Sequence, residues 1–362
     1  MQPRIPVTVL GATGVVGQRF VRRLSHHPWF AVRHLCASDR NAGKRYRDAC
    51  DWRLRGEPWG GLGEQVLAPA SVGDAFAPVV FSALDSAPAR ELEPEFAAAG
   101  AWVFSNASAF RMADDVPLLV PEVNPDHLAL VARQRRERGW RGAIVCNPNC
   151  TATVLVTALA PLHATFGVEA VFMTSMQAAS GAGYPGVASL DLLGNVIPFI
   201  RGEEEKVEEE TRKLLGRLTG ERIEPAALAI SAACNRVPVV DGHHETVSVR
   251  LAGDPSLAAV RAALAGWRGE PQRLALPSAP AAPLVVHDAD DRPQARLDLD
   301  DTDGMAVHVG RLRPCPLLGL KLALLGHNAE RGAAGASLLN AELARARGLL
   351  AAAVAADPHR PR

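Results

Sequence analysis

The chain has 362 residues, more than one hydrophobic core ordinarily sustains, so two domains are expected. Hydrophobic residues make up 48% and charged ones 22%, and 39 basic side chains balance 39 acidic ones at zero formal net charge. That balance lacks the concentrated positive field that a phosphate backbone needs, and no apolar run approaches the ~18 residues of a membrane span, so neither nucleic acid nor membrane is an expected partner.

The N-terminal residues move straight into Ile5-Pro6-Val7-Thr8-Val9-Leu10 with no secretory apolar region or cleavage site, which points to the cytoplasm. A strand over Val7–Leu10 is followed by Gly11-Ala12-Thr13-Gly14-Val15-Val16-Gly17 and a helix from Gln18 to about His26. Glycines in that context let a backbone approach a pyrophosphate, and the helix N-terminus offers N–H donors to its charge. Gly11, Thr13, Gly14, Val15, Val16 and Gly17 are therefore candidates for a dinucleotide loop, with an ordinary turn as the competing reading. The spacing G-x-x-G-x-x-G differs from the commoner G-x-G-x-x-G.

A second strand, Ala31–Ala37, ends at Ser38-Asp39-Arg40-Asn41-Ala42-Gly43-Lys44. Ser38 and Arg40, with Lys44 behind them, suit a ribose 2′-phosphate, while Asp39 suits a free 2′-hydroxyl. The expected cofactor is NADP, and a solvated basic loop is the alternative. Further strands are predicted at Val79–Ala83, Trp102–Ser105 and Ile144–Cys146, with helical composition at Pro88–Ala99 and Pro125–Arg138. Alternating strands and helices argue for a parallel sheet covered on both faces.

Cys150 follows Ile144-Val145-Cys146-Asn147-Pro148-Asn149, where an apolar run breaks at a turn and a helix starts, predicted from Thr151 to about His163. The partial positive charge of a helix N-terminus stabilises a thiolate, so a lowered thiol pKa is expected there. A small buried cysteine is the competing reading. The six cysteines (36, 50, 146, 150, 234 and 315) lack metal-ligand spacing; free thiols and no metal are expected.

Beyond this helix the rhythm changes. Strands are predicted at Val168–Ala179, Thr246–Leu251, Pro283–His287, Met305–Leu312 and Lys321–Leu325, and helices at Glu203–Leu218 and Ser256–Gly266. Few crossover helices among many strands imply a mostly antiparallel sheet. Gly269–Pro283 reads as a surface loop, Ala333–Ala356 as a long final helix returning to the first domain, and Asp357–Arg362 as a frayed tail.

Three polar groupings stand out in this half. Gln177 precedes the small-residue run Ala178–Gly186, which would let a flat ring lie close or serve as a flexible linker. Glu203-Glu204-Glu205-Lys206 opens a helix; its acids suit the macrodipole and its lysine does not. Asn235–Glu245 holds Arg236, suited to a carboxylate, and His243, suited to proton transfer near neutral pH. Nothing in the spacing places His243 near Cys150, and His243-His244 lacks a third metal ligand.

Together these runs resemble the aspartate-semialdehyde dehydrogenase family, in its archaeal and fungal-type branch. The matching stretches are Gly11–Gly17, Ser38–Lys44, Asn147–Thr151, Ser175–Asn195, Gly202–Lys206, Asn235–His243 and Gly326–Glu342. The resemblance implies an α/β protein: an N-terminal Rossmann-type doubly wound parallel sheet (1–149 and 331–362, binding NADP) plus an α+β catalytic and dimerisation domain with a mostly antiparallel sheet (150–330). It implies reductive dephosphorylation of aspartyl phosphate through a Cys150 thioester. Asn149 would help to position the acyl group, Gln177 would orient the intermediate, and His243 would be the acid/base. Arg236 and Glu203 would bind the substrate's carboxylate and amino group, and Arg111 and Lys206 its phosphate. Ser180, Gly181, Gly183 and Asn328 would line the nicotinamide site. The family further implies a homodimer or homotetramer.

Three departures accompany the match. Cys146 replaces a residue usually Ser or Thr, placing a second thiol four positions before the nucleophile. Gly326-His327-Asn328-Ala329-Glu330-Arg331 differs from the usual Gly-His-Asn-Thr-Val-Arg, which puts a carboxylate near the expected nicotinamide pocket. Gly194 stands where the branch often has Asp. A malonyl-CoA reductase, an N-acetyl-glutamyl-phosphate reductase and a non-catalytic NADP-binding protein are the competing functions.

Overall fold

Short strands of two to eight residues lie side by side in the N-terminal half of the computed structural model, which describes residues 3–359. The strands β1 (Ile5–Leu10), β2 (Phe30–Ala37), β3 (Ala68–Pro69), β4 (Val79–Ser82), β5 (Trp102–Ser105) and β6 (Ala143–Cys146) form one sheet in the order β3-β2-β1-β4-β5-β6. Every pairing in it is parallel. Both faces are covered, which is why β4, β5 and β6 are buried at each position instead of alternating. The covering helices are α1 (Val15–Ser25), α2 (Ser86–Ala99) and α3 (Leu130–Arg138).

The helix α4 (Cys150–Phe166) is apolar on all sides because it serves two cores. Ala152 and Val156 pack with Leu10, Val80, Val103 and Ile144 of the first sheet. Val154, Leu155, Ala158 and Leu162 pack with strands of a second sheet. This double burial pins the N-terminus of α4, and with it Cys150, at the seam between domains.

The second sheet joins β7 (Val168–Gln177), β10 (Ala229–Arg236), β11 (His243–Leu251), β12 (Leu284–Val286), β13 (Val307–Cys315) and β14 (Gly319–Gly326) in the order β10-β7-β11-β14-β13-β12. Three of its five pairings are antiparallel, and β7–β10 and β12–β13 are parallel. The strand β10 had no signal in the sequence. Its Ala-Ile-Ser-Ala-Ala-Cys has weak β-propensity and gains its place from pairing with β7.

Helix α5 (Glu203–Leu214) stops earlier than expected, because Gly216 leads into a hairpin of β8 (Arg217–Thr219) and β9 (Arg222–Glu224). A Cβ at Gly216 would lie 2.5 Å from the Glu224 carbonyl oxygen, so the turn excludes a larger residue. Helix α6 (Leu257–Gly266) covers the second sheet, and a short helix, Glu270–Arg273, stands in the segment read as a loop.

The final helix is not continuous. A π-turn at Glu330–Ala334 leads into α7 (Gly335–Ala346), and the chain breaks at Gly348 (φ +75°) before a last short helix, Ala351–Ala355. Leu338, Leu339, Ala341 and Leu343 of α7 pack into the first domain's core with Phe20, Phe81 and Phe104. Just before α7, Arg331 forks onto Glu122 at 2.8 and 2.9 Å with both side chains fully buried. Removing one partner of such a pair leaves an uncompensated charge and typically costs about 3–5 kcal/mol. Asp357, expected to fray, is instead held by Arg33 through two hydrogen bonds at 2.9 and 2.8 Å; tail residues 360–362 lie outside the described residues. Among the described residues no helix is long and apolar enough to cross a membrane.

Candidate active site

Strand register builds the centre. Gln177 ends β7 opposite Arg236 at the end of β10, and His243 starts β11 opposite Gly326 at the end of β14. These strand ends meet above the N-terminus of α4. There Asn149 is the N-cap, its Oδ1 accepting from the Thr151 and Ala152 amides at 2.9 and 3.0 Å. A side-chain cap of this kind is worth about 1 kcal/mol to the helix. It also fixes the direction in which Cys150 leaves the turn.

Cys150 Sγ lies 3.2 Å from His243 Nε2. The Ala178 amide donates to His243 Nδ1 at 3.2 Å, which leaves Nε2 as the protonated nitrogen of the neutral ring, aimed at the sulfur. Burial, reinforced by Arg236 and His327, pulls the His243 pKa down to about 3. The ring is therefore neutral near neutral pH.

The thiol departs from the expected direction. Burial, reinforced by the Glu203 carboxylate, pushes Cys150 up to about 12, while Arg111, the Thr151 amide and Arg236 pull the other way. The helix terminus acts as anticipated but is outweighed by desolvation. Replacing Glu203 with glutamine removes a negative charge beside the sulfur, so it should lower the Cys150 pKa. Each unit of fall raises the thiolate fraction about tenfold. Faster alkylation by iodoacetamide at fixed pH is the expected result for Glu203→Gln, and slower alkylation would contradict this electrostatic account.

Glu203, buried in the first turn of α5, is the hub beneath the sulfur. Its Oε1 accepts from Asn149 Nδ2 at 2.9 Å, Gln177 Nε2 at 3.0 Å and Thr151 Oγ1 at 3.4 Å. Lys206, half-buried, and Glu210 follow on the same face of α5. Glu210 carried no sequence signal, since acidic residues abound in that helix. Its Oε2 accepts from the Asn149 amide at 2.6 Å, and its Oε1 from Arg111 Nη1 at 3.0 Å. It thus holds both the turn before Cys150 and the buried Arg111, whose Nη2 also donates to the Asn106 carbonyl. Arg236, also buried, donates from Nη1 to the Ala178 carbonyl at 2.7 Å.

Close packing explains two glycines here. A Cβ at Gly332 would lie 2.5 Å from the Cys150 Cβ, and one at Gly181 would lie 2.7 Å from Arg236 Nη1 and 3.1 Å from His243 Cε1. The loop holding Ser180, Gly181 and Gly183 is tied down by the Ala179 and Ser180 amides, which donate to the Val239 and Val240 carbonyls. Asn328 joins the same set: its Nδ2 donates to Ser180 Oγ and its Oδ1 accepts from the Gly242 amide, both at 2.9 Å.

The glycine loop fits a pyrophosphate. Gly11 has φ +73°, and a Cβ at Gly17 would lie 2.1 Å from the Gly11 carbonyl oxygen, so the chain turns as tightly as glycine allows. Exposed Gly14 caps α1 with no side chain on the first amides, and Val15 and Val16 form the first turn. Those free N–H groups suit an anion. The carbonyl of Thr13 accepts from Gln18 Nε2. Ser38 and Arg40 stand exposed where β2 ends.

Two of the sequence departures resolve. Cys146 is a fully buried core residue packed with Ile144, Leu118 and Val156, its thiol pushed up by burial. Glu330 is not an open carboxylate; Arg19, Arg22 and Arg23 of α1 all bind it. His287, Asp298 and His308 also approach one another within 4.8 Å. They form a closed set: His287 Nε2 lies 3.0 Å from His308 Nδ1, and Arg292 and the Gln294 amide already occupy Asp298.

Comparison with known proteins gives a consistent result. The semialdehyde dehydrogenase NAD-binding domain profile matches residues 6–131, and the semialdehyde dehydrogenase dimerisation domain profile matches residues 159–329. The aspartate-semialdehyde dehydrogenase of Archaeoglobus fulgidus is 52% identical over 340 residues, covering 94% of this chain and 98% of that one. The enzyme of the same name from Cryptococcus neoformans is 45% identical, covering 96% and 99%. The crystal structure of aspartate semialdehyde dehydrogenase with NADP from Candida albicans superposes with a TM-score of 0.88 at 40% identity, covering 95% of this chain and 99% of that one.

Proposed function

We infer the work of each residue from one premise: the chain belongs to the aspartate-semialdehyde dehydrogenase family. Its activity is the reversible, NADP-dependent interconversion of L-4-aspartyl phosphate with L-aspartate 4-semialdehyde and phosphate. The observation that carries the residue assignment is the Cys150 sulfur 3.2 Å from a His243 nitrogen whose partner nitrogen is fixed by a backbone amide.

In the reductive direction the Cys150 sulfur attacks the acyl carbon, the C–O bond to phosphate breaks with the thiol proton leaving on the phosphate, and a thioester forms on Cys150. NADPH on the glycine loop supplies the hydride. Hydride addition leaves an oxyanion that His243 Nε2–H stabilises by sharing its proton, and collapse of that oxyanion breaks the C–S bond, releasing the aldehyde and returning the thiolate. Arg236 anchors the substrate carboxylate with its planar fork, and Glu203 takes its ammonium. The ammonium would neutralise the carboxylate that raises the Cys150 pKa, so substrate binding itself favours the thiolate. Arg111 and Lys206 receive the phosphate. Gln177 and Asn149 orient the acyl group, each anchored on Glu203.

In this reading residues 1–149 and 331–362 bind the dinucleotide through Gly11–Gly17, Ser38 and Arg40, with Ser180, Gly181, Gly183 and Asn328 beside its ring. Residues 150–330 carry the chemistry. The protein acts in the cytoplasm as a homodimer or homotetramer joined through the outer face of the second sheet, where Phe172 is exposed.

The test mixes purified protein with L-aspartate semialdehyde, phosphate and NADP⁺ and follows NADPH formation, with malonyl-CoA and NADPH in a parallel reaction. Turnover in the first alone is expected. Turnover in the second alone would overturn the aspartate assignment.

A further inference from the structure

Arginines at 19, 22 and 23 share one face of α1, the helix that leaves the glycine loop. That face meets Glu330, whose side chain is 1% exposed. Burial would push its carboxyl up, but Arg23, Arg19 and Arg22 overcome this and hold it down at about 2. The three arginines are not equivalent. Arg22 is 38% exposed, and Arg23 turns its second group to the Asp303 carbonyl. Arg19, only 7% exposed, binds Glu330 through Nη1 at 2.8 Å. It also reaches Asp241 Oδ1 through Nη2 at 3.4 Å, with the His327 ring 3.4 Å from Nη1.

Those contacts fall at informative positions. Asp241 immediately precedes Gly242 and His243, and His327 immediately precedes Asn328. The Gly242 amide and Asn328 Oδ1 join these two strand ends, and Val239 and Val240 hold the loop of Ser180. A cleft of about 1450 Å³ lined by Arg19, Arg22, Asp241, Asp300, His327 and Glu330 opens here. Arg19 spans it and joins α1 to the turn of Asp241, which neither Arg22 nor Arg23 contacts.

We propose that Arg19 is a positioning residue that ties the dinucleotide-loop helix to the turn carrying His243, so that seating the cofactor and placing the acid/base are one event. The proposal rests on the assignment of His243 and the glycine loop made above. Anything that sets α1 is passed through the guanidinium to Asp241 and thence to the His243 turn. Glu330 neutralises the arginine face and aims Arg19 at Asp241.

The test is a double-mutant cycle on the full chain, with Arg22→Gln as control, because Arg22 shares Glu330 but touches neither Asp241 nor His327. Arg19→Gln is expected to raise the KM for NADPH and lower kcat, each on the order of tenfold, within the usual range of coupling between sites. The KM for phosphate should stay unchanged. Asp241→Asn should reproduce that pattern, and the double variant should be no worse than either single. Arg22→Gln should lower thermal stability while leaving kcat and KM at their wild-type values.

Wild-type kinetics in Arg19→Gln below its unfolding temperature would overturn the proposal, as would fully multiplicative effects in the double variant. Failure of the wild-type protein to turn over aspartate semialdehyde would instead strike the functional reading. The two failures are therefore distinguishable.

Discussion

Cys150→Ala is expected to abolish turnover in both directions, by about 10⁴-fold or more, while leaving folding and dinucleotide affinity intact. Removal of a nucleophile that works as a unit with its base has effects on that scale. The fold should survive because the helix start is fixed by Asn149 and Glu210, not by the sulfur. Gly332, packed against the Cys150 Cβ, still meets a methyl group in the variant. Steady-state rates together with NADP⁺ binding by fluorescence check both halves of the expectation. A variant that keeps measurable turnover with an unmodified rate law would remove the thioester from the mechanism.

His243→Asn should lower kcat by about 10²- to 10⁴-fold, the usual worth of a positioned acid/base group. Asparagine can keep a polar contact to the Ala178 amide but cannot pass a proton at the Nε2 position. Because burial and Arg236 keep the wild-type ring neutral down to about pH 3, the free enzyme's kcat/KM should show no inflection near the ordinary histidine value of about 6.5. An inflection there that disappears in His243→Asn would show that the ring titrates normally and that the buried, amide-fixed geometry does not govern its protonation.

Local chemistry was the legible part of this chain. The tight turn at Gly11–Gly17, the break at Asn147–Cys150 and the all-round apolar helix after it are each dictated by neighbours in sequence. The strand–helix alternation before Cys150 follows from short apolar runs and the helical composition between them in the same way. What escaped depends on register and distance. Nothing local brings Gln177, Arg236 and His243 to one sulfur; the alignment of β7, β10, β11 and β14 does. Glu210 carries no signal of its own and Glu330 reads as a carboxylate near the nicotinamide pocket, because their partners, Arg111 and the α1 arginines, come from far along the chain. The thiol pKa departs from expectation for the same reason: the helix terminus is a local feature, whereas desolvation comes from residues distant in sequence that pack around the half-buried sulfur. Strand β10 was missed because its small side chains carry no preference until β7 lies beside them.

The central claim is that an acyl group passes through Cys150. Wild-type protein mixed with L-4-aspartyl phosphate in the absence of NADPH, quenched in acid, digested and examined by mass spectrometry tests it directly. The account predicts release of phosphate equal to the number of active sites, with one aspartyl group on the peptide that contains Cys150. Phosphate release without that adduct, or the adduct on a different residue, would contradict it.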